Sequence, residues 1–255
     1  MAHQRLSVHN VTFYGAPLAQ LENYWTELGV TRLSILDSEL LDPELSKLLQ
    51  HNEYAIEAVY HLFASPTTLL QVIDAAAAVG ARTVYMLTGG RGSLTWSHAA
   101  ERFCEMVEPC RQRAQDVGVA LAIENASSLY ADLHIAHTLR DTVTLVEMSG
   151  LDICIDVFHC WAEGDVEEML ERALPRTRLI QLSDYVLGDR SLPGRAVPGD
   201  GTIPIEGFVA QALAGGYAHG FDLELIGPRI EKEGRLESAG RACDVVGAML
   251  TKLGA

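Results

Sequence analysis

The stretch LDICIDVFHCWAEG, residues 151–164, is an apolar run that ends in a carboxylate, Asp156, with a histidine three residues later at His159. Three other short apolar runs carry a polar side chain at a comparable point: Glu124 closes ALAIE (120–124), Gln181 lies in RLIQLS (178–183) and Glu224 in FDLELI (221–226). Strand side chains alternate between two faces. One face therefore collects Ala120, Ala122 and Glu124 from the first run, Asp152, Cys154 and Asp156 from the second, Leu179, Gln181 and Ser183 from the third, and Asp222 with Glu224 from the fourth. Where such faces meet, three carboxylates converge in a low-dielectric interior, and each unpaired charge there is costly. A divalent cation bound by Glu124, Asp156 and Glu224, with the Gln181 carbonyl oxygen as fourth ligand, resolves the repulsion. An all-oxygen set favours Mn2+ or Mg2+, with Co2+ or Zn2+ behind them, because zinc prefers imidazole or thiolate in its set. His159, one turn past Asp156, is then expected to face the substrate. The plainer alternative is that Asp156 caps the turn VFHCW and His159 is an ordinary loop histidine.

The elements that must position these groups are legible as eight apolar or β-branched runs, at 6–13, 31–36, 55–63, 83–87, 120–124, 151–156, 178–183 and 221–226, separated by segments of helical period. Leu18, Leu21, Trp25 and Leu28 recur at helical spacing after Pro17, and Gly29 supplies a stop. Phe103, Val107, Cys110, Ala114 and Val117 do the same before Gly118, as do Leu236, Ala239, Cys243, Val246 and Leu250 near the end. Strand and helix alternating eight times predict an α/β fold, a (β/α)8 TIM barrel, as a single domain over 1–255. In such barrels function sits at the carboxyl ends of the strands, where the four polar residues fall. An open doubly wound sheet should carry a dinucleotide fingerprint after its first strand, and VTFYGAPLAQ has none.

Composition narrows the function classes. A chain of 255 residues at 48% hydrophobic content can bury a sizeable core. The formal net charge of −15, with 19 Lys and Arg dispersed among 34 Asp and Glu, argues against nucleic acid as a partner, since such binders need a basic footprint. No stretch approaches the roughly 18 apolar residues of a spanning helix, and MAHQRLSVHN lacks a basic segment followed by an apolar run. No membrane association and a cytoplasmic location are expected. Five scattered cysteines fit a reducing compartment better than a disulfide scaffold.

In order along the chain, IEN (123–125), DVFH (156–159), QLSD (181–184), PGDG (198–201) and LELIG (223–227) resemble the motifs of the xylose isomerase-like TIM barrels, the sugar isomerase and epimerase superfamily that also includes endonuclease IV-type enzymes. The resemblance implies metal ligands at Glu124, Asp156, position 181 and Glu224, and a substrate contact at His159. The family usually has His where this chain has Gln181, and a neutral amide is the weaker ligand. The resemblance also implies a substrate-binding role for Arg195 and a place for Asp184 behind the ligands. Their plainer readings are a solvated charge and a turn cap. His9, His61 and Trp161 lie close enough to strand ends to be expected as further substrate contacts, whereas TGGRG (88–92) reads as a loop.

The chemistry expected of this set starts with a keto-sugar or related polyol chelated through adjacent carbonyl and hydroxyl oxygens. Glu124 and Glu224 would take and return the proton next to the carbonyl. Return on the opposite face gives epimerisation, and return at the neighbouring carbon gives isomerisation. Expulsion of a β-hydroxyl from the same enediolate would make a dehydratase. A metal-free binding or scaffold barrel is the rival outside catalysis. Abasic-site cleavage ranks last, because that family's extra histidines and basic surface are missing. The expected partner is a small sugar or polyol, with homo-oligomerisation left open.

Overall fold

The computed structural model describes residues 2–51 and 54–255. Its strands are β1 (Leu6–His9), β2 (Arg32–Leu36), β3 (Ala55–Leu62), β4 (Thr83–Leu87), β5 (Ala120–Glu124), β6 (Asp152–Asp156), β7 (Thr177–Leu182), β8 (Asp184–Tyr185), β9 (Arg195–Ala196) and β10 (Phe221–Leu223). Eight of them close a parallel barrel in the order β1-β10-β7-β6-β5-β4-β3-β2. The remaining pair, β8 and β9, forms a small antiparallel ribbon beyond β7. The chain thus has the (β/α)8 TIM-barrel fold.

Several of the helices end at a glycine in the left-handed region. Leu18–Leu28 stops at Gly29 with φ 62°, and Trp96–Val117 stops at Gly118 with φ 75°. Two strands are shorter than their apolar runs by more than one residue. β1 ends at His9 because the His9 Nδ1 accepts the Val11 N–H, turning Asn10–Phe13 into a 3-10 turn that Trp25 secures by donating to the Asn10 Oδ1. The eighth barrel strand ends at Leu223, so Glu224 sits just past the ladder at the rim. Among the described residues no helix is long and apolar enough to cross a membrane.

Outward-facing residues such as Leu33, Ile35, Ile123, Ile153, Ile155 and Ile180 pack with helix residues including Trp25, Ile73, Val107 and Leu250 in the main core. The lumen holds a separate small cluster of Ala58, Tyr85, Ala122, Cys154 and Leu179. Two of its five members are alanines and one is a cysteine. Short side chains there leave room in the narrow interior for the polar groups above and below them.

Candidate active site

Adjacent strands bring the polar ends into register. Asp156 on β6 lies beside Gln181 on β7, and Gln181 lies beside Asp222 on β10, two residues before Glu224. Asn125, directly after β5, clamps the end of β6 by donating to the Asp156 carbonyl and accepting the Asp156 N–H, both at 2.9 Å. Asp156 also caps the next turn by accepting the Phe158 N–H at 2.9 Å. The capping reading therefore holds without excluding a functional one.

Arg195 is brought to this point by its own small scaffold. The β8–β9 ribbon pairs Tyr185 with Arg195, and Asp184 gathers the PGDG turn by accepting from the backbone N–H groups of Gly199, Gly201 and Ile203 at 2.9–3.0 Å. Gly201 is needed for this approach, since a Cβ there would lie 2.4 Å from the Asp184 Oδ1 and from the Tyr185 carbonyl oxygen. Asp184 thus anchors the loop that carries Arg195.

The Arg195 guanidinium is fully enclosed. Its Nη2 donates to the Asp156 Oδ2 at 2.6 Å and lies 3.0 Å from the Glu224 Oε1 and 3.4 Å from the His159 Nε2. Its Nη1 donates to the Ser183 Oγ at 2.9 Å and to the Asp156 Oδ1 at 3.3 Å. The plane lies over the Phe158 ring, 4.8 Å from its centroid. Burial alone would raise the Asp156 pKa, but Arg195 holds that carboxyl below its usual range. Burial, only partly offset by Arg195, pushes Glu224 up to about 7. Burial, with Glu224 and Asp156 nearby, raises Glu124 well above a normal carboxylate. One guanidinium does not neutralise three carboxylates.

Gln181 takes a different part from the one expected of an oxygen ligand. Its amide nitrogen donates to Glu224 and, at 3.1 Å, to the Tyr85 hydroxyl, while its oxygen accepts from the Cys154 thiol at 3.3 Å. The His9 Nδ1 is committed to the Val11 N–H, and burial lowers the His9 pKa to about 3. The neutral ring therefore carries its proton on Nε2 and donates it to the Tyr85 hydroxyl at 2.7 Å. With both lone pairs of that hydroxyl occupied by N–H donors, its own proton is the one still available.

A cavity of about 230 Å3 opens over these groups, lined by His9, Tyr60, Tyr85, Glu124, Tyr130, His159, Arg195 and Glu224 together with Val11, Leu87, Leu133 and Ile226. His159 stands edge-on to Tyr130 and Phe158, and burial, reinforced by Arg195, lowers its pKa to about 4. Two expected substrate contacts fall elsewhere. His61 points away from the lumen and pairs through Nδ1 with Asp37 at 2.6 Å. Trp161 packs near Tyr185 and lines an outer hollow with Val157, Val166 and Phe208. Tyr60, Tyr85, Tyr130 and Asn125 carry parts of the site that the sequence reading did not assign. Tyr85 was within reach of the same alternation, since in TVYML it faces inward between Val84 and Met86.

A divalent ion needs several lone pairs aimed at one point. Glu124, Asp156 and His159 offer ligand atoms all within 4.8 Å of one another. The four-residue set of Glu124, Asp156, Gln181 and Glu224 does not fit one. Gln181 presents N–H groups where a ligand needs a lone pair, and Asp156 and Glu224 already converge on the Arg195 Nη2. The triad that remains shares that same nitrogen through Asp156 and His159.

The barrel, with its polar residues at the carboxyl ends of the strands, defines the class, and comparison with known proteins defines the family. The xylose isomerase-like TIM barrel family matches residues 11–245, and this chain belongs to it. No curated protein matches it at a significant level. Among solved structures it is similar to protein SMc04130 from Sinorhizobium meliloti 1021, with 21% identity and a TM-score of 0.84 over 94% of this chain and 96% of that one. The IolI protein with a bound zinc atom aligns at 16% identity and a TM-score of 0.83, covering 98% and 99%. D-psicose 3-epimerase from Clostridium cellulolyticum H10, solved with D-tagatose, aligns at 15% identity and a TM-score of 0.77, covering 96% and 98%. At these identities the likeness is one of fold.

Proposed function

We propose that this chain is an isomerase or epimerase that moves a proton next to the carbonyl of a small keto-sugar or related polyol. The observation that carries the reading is the presence of two carboxyl groups, Glu124 and Glu224, from non-adjacent strands lining one cavity, with a fixed guanidinium at Glu224 and a phenol proton beside them. One carboxylate takes the proton from the carbon next to the carbonyl. The C–H electron pair becomes the C=C bond of an enediol, and the carbonyl oxygen gains the charge. Glu224, with a pKa of about 7, is present in its basic form near neutrality, whereas burial and the neighbouring carboxylates favour the protonated form of Glu124, which suits it to return a proton. The Tyr85 hydroxyl is placed to donate to the developing oxyanion, and Arg195 adds positive potential in a site shielded from water. The D-psicose 3-epimerase relative supports the keto-sugar class, and the net charge of −15 disfavours a DNA substrate.

The test is solvent-deuterium incorporation into a panel of keto-pentoses, keto-hexoses and cyclic polyol ketones. Wild-type protein is expected to label the carbon next to the carbonyl of at least one of them. Glu124→Gln and Glu224→Gln should each slow labelling by roughly 10^2- to 10^4-fold. Labelling that proceeds equally fast in both variants, or none at all with any ketone, overturns the reading.

A further inference from the structure

We propose that Arg195 is the resident cation of this site: its guanidinium fills the position a divalent ion would take and keeps such an ion out. The proposal deepens the function proposed above, in which positive charge must face a developing oxyanion, but its decisive test needs no substrate.

The geometry at the Arg195 Nη2 carries the argument. That single nitrogen lies 2.6 Å from the Asp156 Oδ2, 3.0 Å from the Glu224 Oε1 and 3.4 Å from the His159 Nε2. Oxygen and nitrogen ligands approach Mn2+, Mg2+ or Zn2+ to about 2.0–2.2 Å. An ion drawing on those three groups would occupy the space of the nitrogen already there, so the two exclude each other.

Arg195 is also held too firmly to be a side chain resting there by chance. Two bonds to Asp156, one to Ser183, the ion pair to Glu224 and the stack on Phe158 fix the guanidinium, and the ribbon and the Asp184-anchored turn fix its backbone. Gln181 fits the same arrangement. Ligands of an ion must aim lone pairs at it, yet Glu224 is already engaged on both oxygens, by the Arg195 charge 3.0 Å from Oε1 and by a hydrogen bond from the Gln181 amide on Oε2. An amide at position 181 gives Glu224 a hydrogen-bond donor, where an imidazole lone pair would complete a coordination shell around a metal.

Mn2+ titration of metal-free protein, followed by spin resonance and by the thermal midpoint, tests this. Wild-type protein is expected to take up no stoichiometric ion at about 100 µM Mn2+, with an unchanged midpoint. The double variant Gln181→His with Arg195→Met, once circular dichroism shows that it folds, should bind about one ion per chain, at least roughly 100-fold more tightly than wild type. One ion bound per wild-type chain at that concentration overturns the proposal, and so does a folded double variant that binds none. Should the double variant fail to fold, the wild-type titration decides alone. Loss of deuterium labelling in an ion-free wild type would count against the proposed reaction and not against the resident cation.

Discussion

Two buried aspartates in the same barrel lumen live under opposite conditions. Asp156, at the carboxyl end of β6, is fully buried and paired through both oxygens with Arg195, which holds its carboxyl below the usual range against the effect of burial. Asp222, on β10 one layer deeper, is just as buried but has only serine hydroxyls for partners among the described residues, a hydrogen bond from Ser7 and the Ser34 side chain beside it. Burial pushes Asp222 up to about 7. Depth in the lumen is therefore not what decides charge. A cation delivered from a loop does so, and it reaches only the upper layer, which opens onto the cavity.

The largest effect expected from breaking this contrast comes from Asp156→Asn. The substitution removes the bidentate partner of a buried guanidinium and should cost about 3–5 kcal/mol in denaturant unfolding at neutral pH. A cost within about 0.5 kcal/mol would mean that Glu224 and Ser183 alone satisfy Arg195, and the contrast between the layers would fail.

Asp222→Asn sharpens the same contrast through pH. Asp222 has a folded pKa near 7 against an ordinary 3.8. Below the ordinary value the group is protonated in both states, and its contribution is fully present. As pH rises, the unfolded chain ionises first and stability falls, until the folded group ionises as well near pH 7 and the loss levels off. Wild type should therefore lose up to about 4 kcal/mol more than the Asn variant between pH 4 and pH 8. Parallel stability curves for the two proteins would show that Asp222 is ionised in the folded state.

Tyr85→Phe probes the boundary between the layers. The change leaves the His9 Nε2–H and one Gln181 N–H without their shared acceptor, at about 1–3 kcal/mol of stability. It also removes the phenol proton offered to the substrate oxygen. On a ketone found by deuterium labelling, kcat should fall about 10- to 100-fold with KM nearly unchanged, as expected for a donor that acts on the transition state. A rise in KM alone would make Tyr85 a binding group.

The barrel was legible in the sequence because its signals are local. The runs 83–87 and 120–124 match β4 and β5, and the alternation that turns Glu124, Asp156, Gln181 and Glu224 inward follows from strand geometry alone. What was not legible depends on hydrogen direction and on loop geometry. Nothing in QLSD says which end of the Gln181 amide faces Glu224, because that is set by Cys154 and Tyr85 on two other strands and by Glu224 just past a third. Arg195 was expected at the substrate only through the family resemblance, and nothing in GRAVPGDG itself says that it enters the lumen, because that depends on the Asp184 carboxylate drawing in three backbone N–H groups of the following turn.

The two residues that the structure keeps away from the cavity give the smallest expected effects, and they mark how far the upper layer extends. His61 precedes the end of β3 by one residue, so the pleat that turns Tyr60 into the lumen turns His61 outward to Asp37. Trp161 follows the short turn after β6, which carries it past the mouth and onto the outer hollow beside Tyr185. Trp161→Phe keeps an aromatic ring there and should change kcat/KM on a labelled ketone by less than about twofold, in line with a substitution remote from the reacting groups. A tenfold or larger loss would place the indole over the bound substrate, and would mean that the loop after β6 closes on the site when the cavity is filled.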